Sequence, residues 1–76
     1  MKNSCSVEAD IERGYLRIGS LFNKVEVKIP EGHTCVAENF KLRKGKIVRK
    51  GKLQISKTPN EDRKTRIYLR EFHVEG

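Results

Sequence analysis

The chain has 76 residues, enough for one small domain over 1–76, with residues 1–6 read as a loose tail. A chain of this size buries only about 60–65% of its unfolded surface, so a thin core is expected. Its 17 Lys and Arg against 10 Asp and Glu give a net charge of +7, and no stretch approaches the ~20 apolar residues of a membrane-spanning helix. Residues 1–20 hold no apolar run and are interrupted by Glu8, Asp10 and Glu12, unlike a secretory leader. The expectation is a soluble, cytoplasmic, monomeric protein that does not engage membranes.

In chain order, the alternation of Val7, Ala9 and Ile11 predicts a strand over Val7–Asp10, and Tyr15–Ile18 continues in extended form until Gly19-Ser20 breaks it. Lys24–Ile29 alternates charged and β-branched residues without error, the pattern of a strand with one wet face. Pro30-Glu31-Gly32 carries turn residues, so His33–Ala37 is expected to return antiparallel to Lys24–Ile29, with His33 at an exposed hairpin tip. Glu38–Gly45 offers only Phe40 and Leu42 for burial and reads as a short helical turn linking the third and fourth strands.

Lys52–Ser56 alternates again, with Leu53 and Ile55 inward. Thr58–Asp62 contains Pro59 and reads as a hairpin loop, and Thr65–Arg70 as the last strand. The inward set then changes phase from Ile67 and Leu69 to Phe72 and Val74, which predicts a bulge near Arg70-Glu71. Five short, evenly spaced strands with glycines at the corners suit an all-β fold, a small antiparallel barrel. Both a five-stranded OB barrel and an SH3-like barrel fit, the extra segment between strands 3 and 4 tilting the choice toward the OB form.

Charge is the most uneven property of the chain. Residues 1–40 hold five basic and six acidic side chains, and residues 58–76 hold four of each. The excess lies in Lys41–Lys57, where Lys41, Arg43, Lys44, Lys46, Arg49, Lys50, Lys52 and Lys57 meet no carboxylate. A field concentrated in this way attracts polyanions and releases counterions on contact with phosphate, which points to nucleic acid, RNA foremost. Arginine can grip a phosphate bidentately or stack on a base, while lysine acts as a mobile point charge. Arg66 and Arg70 share strand parity and project to one side. Of the rings, Phe22 in a loop, Phe40 beside the basic run and Tyr68 between the two arginines are the candidates for base stacking.

Catalysis and metal binding find no support in the residue pattern. No Ser-His-Asp set, nucleophile elbow or G-x-x-x-x-G-K loop occurs. Cys5, His33, Cys35 and His73 lack zinc-module spacing, so the two cysteines are expected to be free thiols, with Cys35 a buried filler, and no cofactor or metal is expected.

Four short motifs, in order across roughly 60 residues, carry a resemblance. They are Ile11-Glu12 with Gly14, the alternating Val25, Val27 and Ile29 followed by Gly32-His33, then Lys41-Leu-Arg-Lys44, and finally Thr65-Arg-Ile-Tyr-Leu-Arg70. The chain resembles bacterial translation initiation factor 1 and the eukaryotic and archaeal factor 1A proteins, which share an S1-like OB domain. It departs from them at Phe40, where the family usually has glycine, at Lys52, where aspartate often follows the glycine, and in lacking the ring that commonly follows the K-x-R-K motif. The resemblance implies an RNA-binding initiation factor that docks on the small ribosomal subunit and works beside other initiation factors. The expected RNA-binding residues are Lys41, Arg43, Lys44, Lys46, Arg49, Lys50, Lys52, Arg66 and Arg70; the resemblance itself covers Lys41, Arg43, Lys44, Arg66 and Arg70, and the charge pattern supplies the others. The alternative is a basic β-barrel serving as a protein-interaction or inhibitory module, or a general single-stranded nucleic-acid binder away from the ribosome.

Overall fold

The computed structural model describes residues 6–58 and 64–75, and within them every regular element is a strand. The strands are β1 (Val7–Asp10), β2 (Tyr15–Gly19), β3 (Lys24–Lys28), β4 (His33–Glu38), β5 (Lys41–Arg43), β6 (Lys46–Arg49), β7 (Lys52–Lys57), β8 (Arg66–Arg70) and β9 (His73–Glu75). They form three sheets in the orders β1-β2-β3, β7-β4-β8 and β6-β5-β9. The all-β expectation therefore holds, but among the described residues the sheets do not close into a five-stranded barrel. The Cα envelope of 41 × 24 × 16 Å is correspondingly elongated.

The first sheet is an antiparallel meander whose register places Val7, Ile18 and Val25 in one row and Ala9, Leu16 and Val27 in the next. These rows form its inner side. The alternating charges of β3 and β1 fall on the outer side, as period-two patterning requires. Strand β3 pairs with β2 alone and not with β4. Pro30–Gly32 is thus a link between sheets rather than a hairpin, although the His33 amide still donates to the Pro30 carbonyl at 3.2 Å. A local turn signal fixes the direction of the chain, not its hydrogen-bonding partner.

The other two sheets are halves of one bent sheet. Strand β4 lies between antiparallel β7 and parallel β8, and its continuation β5 lies between antiparallel β6 and parallel β9. Strands β7 and β8 flank β4 and do not pair with each other; the expected hairpin loop Thr58–Asp62 lies, beyond Thr58, outside the described residues. The segment expected as a helical turn is strand β5. Its hairpin to β6 turns on Lys44 and Gly45, with φ of 51° and 80°, the left-handed pair that a two-residue turn between twisted strands demands.

All three long strands break at the same level. Asn39 (φ 63°) separates β4 from β5, Glu71 (φ 52°) separates β8 from β9, and Lys50-Gly51 separates β6 from β7. The bulge expected near Arg70-Glu71 is one arm of this bend. Hydrogen bonding bridges it: the Asn39 amide donates to the Arg70 carbonyl at 3.1 Å and the His73 amide to the Phe40 carbonyl at 3.0 Å. Gly51 faces the bend so closely that a Cβ there would lie 1.8 Å from the Glu38 carbonyl oxygen.

The inner face of the bent sheet and that of the meander share one core of Leu16, Ile18, Ile29, Cys35, Ala37, Phe40 and Leu42, with Val7, Val25, Val27, Ile47, Leu53, Ile67 and Phe72 packed on it. Phe40 is fully buried with its ring 5.2 Å from that of Phe72. The left-handed Asn39 turns the chain so that Phe40 re-enters on the core side. Burial of such a ring contributes about 1.5–3 kcal/mol. Cys35 is a free, fully buried thiol, and burial pushes its pKa up; Cys5 lies outside the described residues.

Gly51→Ala should be among the most damaging small changes in the chain, because its methyl group meets backbone that cannot swing aside. Unfolding in urea followed by circular dichroism should show a loss of at least about 2 kcal/mol. A change below about 0.5 kcal/mol would mean that the bend accommodates the Cβ.

Candidate nucleic-acid interface

At the bend the outward residues stand three apart instead of two, so on all three strands the alternation shifts by one residue and the two faces are kept. Glu38 and Lys41 both face away from the core, as do Arg70 and His73 on one neighbour and Lys52 and Arg49 on the other, while Phe40 and Phe72 turn inward between them. The outer face can therefore be read row by row across the register. Ser56, Thr34 and Arg66 form the first row, Gln54, Val36 and Tyr68 the second, and Lys52, Glu38 and Arg70 the third. Beyond the bend come Arg49, Lys41 and His73, then Lys46, Arg43 and Glu75.

Seven cations thus share one face: Lys41, Arg43, Lys46, Arg49, Lys52, Arg66 and Arg70. In the sequence they form two groups, one in the basic run and one in the last long strand. The parallel pairing of β4 with β8 and of β5 with β9 joins them. Tyr68 sits on this face 45% exposed, with Arg66 and Arg70 two residues to either side on the same strand. The remaining two expected cations lie at its margins, Lys44 at the β5–β6 hairpin tip and Lys50 at the bend.

The rings separate cleanly. Phe22 is 96% exposed in the turn between β2 and β3. Phe40 is 0% exposed, so it is core and not a stacking surface. The sequence placed it beside cations, but a residue next to a charged one in a strand points the other way. His33 is not at an exposed tip either: it begins β4, half-buried, with Nδ1 3.1 Å from the Glu31 carbonyl oxygen.

Among the described residues, two carboxylates interrupt the field, and sequence reasoning passed over both. Glu38 stands between Lys52 and Arg70 in the register. Glu75, from the last strand, accepts a 2.8 Å hydrogen bond from Arg43 Nε and lies 4.0 Å from Lys41 Nζ. Glu75 lies 32 residues from Arg43 in the chain, and only the parallel register brings them together. Lys41 and Arg43 are thereby held in defined positions at the cost of part of their free charge. Among the described residues, no group of His, Cys, Asp and Glu could hold a metal ion.

The Arg43 hydrogen bond and charge, helped by Lys41, hold the Glu75 carboxyl below its ordinary pKa of 4.5. Because its folded value is the lower one, the pairing stabilises the fold fully above the unfolded pKa. That contribution disappears as pH falls through the folded value. Carboxyl titration by NMR should place Glu75 below the ordinary glutamate range, and Arg43→Gln should return it upward. An unchanged titration in Arg43→Gln would show that the pair does not persist in solution.

The bent outer face joins the fold to the charge pattern through the chain's own residues. Searches against protein-family models, curated proteins and solved structures return no match.

Proposed function

We propose that this protein binds RNA through the outer face of the bent sheet. The observation that carries the reading is the register, which collects seven cations of two separate segments on one face, with Tyr68 between Arg66 and Arg70. A sheet face bearing an exposed ring among guanidinium and ammonium groups is suited to a polyanion whose bases have free π-faces, since the charges bind phosphates and the ring stacks. A closed OB barrel, as the initiation factor resemblance implies, is not required for this, because the bent sheet alone presents the row of cations. From that same resemblance the target is taken to be small-subunit ribosomal RNA. The alternative class, a protein-interaction module meeting an acidic partner, would use the same charges without Tyr68.

Lys41, Arg49 and Lys52 adjoin one another across the bend and lie outside the buried core. Replacing all three with glutamine should weaken binding to mixed-sequence single-stranded RNA. The slope of log affinity against log salt should flatten by roughly 0.7 for each phosphate that the variant no longer neutralises, about 2 in all. Unchanged affinity and slope would remove this face from RNA binding and favour the protein-partner reading.

Ribosome docking has its own test. Changing Arg66 and Arg70 together to lysine keeps the charge and removes the bidentate geometry. Co-sedimentation with purified small ribosomal subunits should fall well below wild type while binding to unstructured RNA stays close to it. Equal loss on both targets would mark a general polyanion binder, and no loss on either would place these arginines outside the interface.

A further inference from the structure

The turn between β2 and β3 carries Leu21 and Phe22, 64% and 96% exposed, on a chain whose core has few large side chains to spare. The turn is held in place. The Ser20 amide donates to the Asn23 carbonyl at 2.8 Å, and the Asn23 side-chain oxygen accepts a 3.3 Å hydrogen bond from the Ile47 amide on β6. That second bond ties the meander to the basic hairpin. Between them runs a shallow groove with half-buried Val25 and Ile47 at its base and Phe22, Val48, Lys24 and Lys50 around it.

Val48 reaches this groove because the register between β5 and β6 slips by one residue: Leu42 pairs with Ile47 and Lys41 with Arg49, leaving Val48 as the extra residue. The next residue but one, Lys50, stands at the bend, at the margin of the cationic outer face, and also lines the groove. On its other side the groove is lined by Lys24, whose ammonium pairs with Glu26 at 3.0 Å. An apolar slot faced by one ring, with Lys50 on its rim, matches a planar heterocycle attached to a phosphodiester chain.

We infer that the Phe22 groove receives an unpaired base of the bound strand, so that the protein selects single-stranded over duplex RNA. This rests on the RNA-binding reading of the outer face and adds to it a site for the base itself. A paired base is already stacked on its neighbours and cannot enter the groove, whereas its phosphates are as accessible to the outer-face cations as those of a single strand. The groove supplies the discrimination that the charges cannot.

The test uses the intact chain, a single-stranded RNA of about 12 nucleotides and the duplex of the same length. Phe22 is so exposed that its removal leaves the core untouched. Phe22→Ala should lose roughly 10-fold in affinity for the single strand and less than about twofold for the duplex. Phe22→Trp should bind like wild type, and its emission, the only tryptophan signal in a chain with none of its own, should be quenched by the single strand and not by the duplex.

If Phe22→Ala binds the single strand unchanged while the Lys41, Arg49 and Lys52 triple variant loses affinity, the outer face stands and the groove assignment is overturned. If neither variant has an effect, the RNA reading itself is overturned. Equal loss of single strand and duplex in Phe22→Ala overturns the selectivity. If the indole emission of Phe22→Trp shifts to the blue on phosphatidylserine vesicles and ignores the single strand, the groove belongs to a lipid surface instead, and the proposal is overturned.

Discussion

Strands of a sheet keep or lose their two-faced character according to what happens where they bend, and here three of them bend at one level. Asn39 and Glu71 take left-handed backbone conformations, and Gly51 leaves its Cβ position empty for the Glu38 carbonyl. Had one strand bent elsewhere, its neighbours would have fallen out of register and its inner and outer residues would have exchanged sides. Because all three turn together, Phe40 and Phe72 meet in the core, and the cations on either side of the bend keep a common outward direction. Core packing and surface charge therefore depend on the same backbone feature.

Much of this was readable in the sequence wherever the information is local. The alternation in Lys24–Ile29 and Lys52–Ser56, the extended Tyr15–Ile18 and the change of phase after Leu69 each reflect a period of two and its interruption, and each corresponds to an observed strand or bend. What failed was pairing between distant segments. The Pro30–Gly32 turn signal suggested a hairpin, yet β4 takes its partners from β7 and β8. Parallel pairing of β4 with β8 has no tight turn to announce it, and a three-residue strand such as Lys41–Arg43 is too short to show a period.

The charged site was legible in composition and not in geometry. The excess of lysine and arginine in Lys41–Lys57 is plain from counting, but counting along the chain could not find Glu75 beside Arg43, because the two meet only through the parallel register of β5 and β9. Phe40 misled for a related reason. Its neighbours in sequence are polar and charged, and its neighbours in space are Phe72 and the buried aliphatic residues.

The basic run also occupies one margin of the bent sheet, where the Ile47 amide of β6 is taken by Asn23 and β7 has no strand partner beyond β4 among the described residues. Strands β6 and β7 form the outer margin of the bent sheet, and Lys46, Arg49, Lys50, Lys52 and Lys57 lie along it. A second copy approaching to add its own strand to that margin would bring five more cations against these five. Like charges set along an unpaired edge are a common means by which β proteins resist joining edge to edge. On the RNA-binding proposal these same residues would also oppose edge-to-edge pairing of copies, and a bound polyanion, by neutralising them, would lower that barrier.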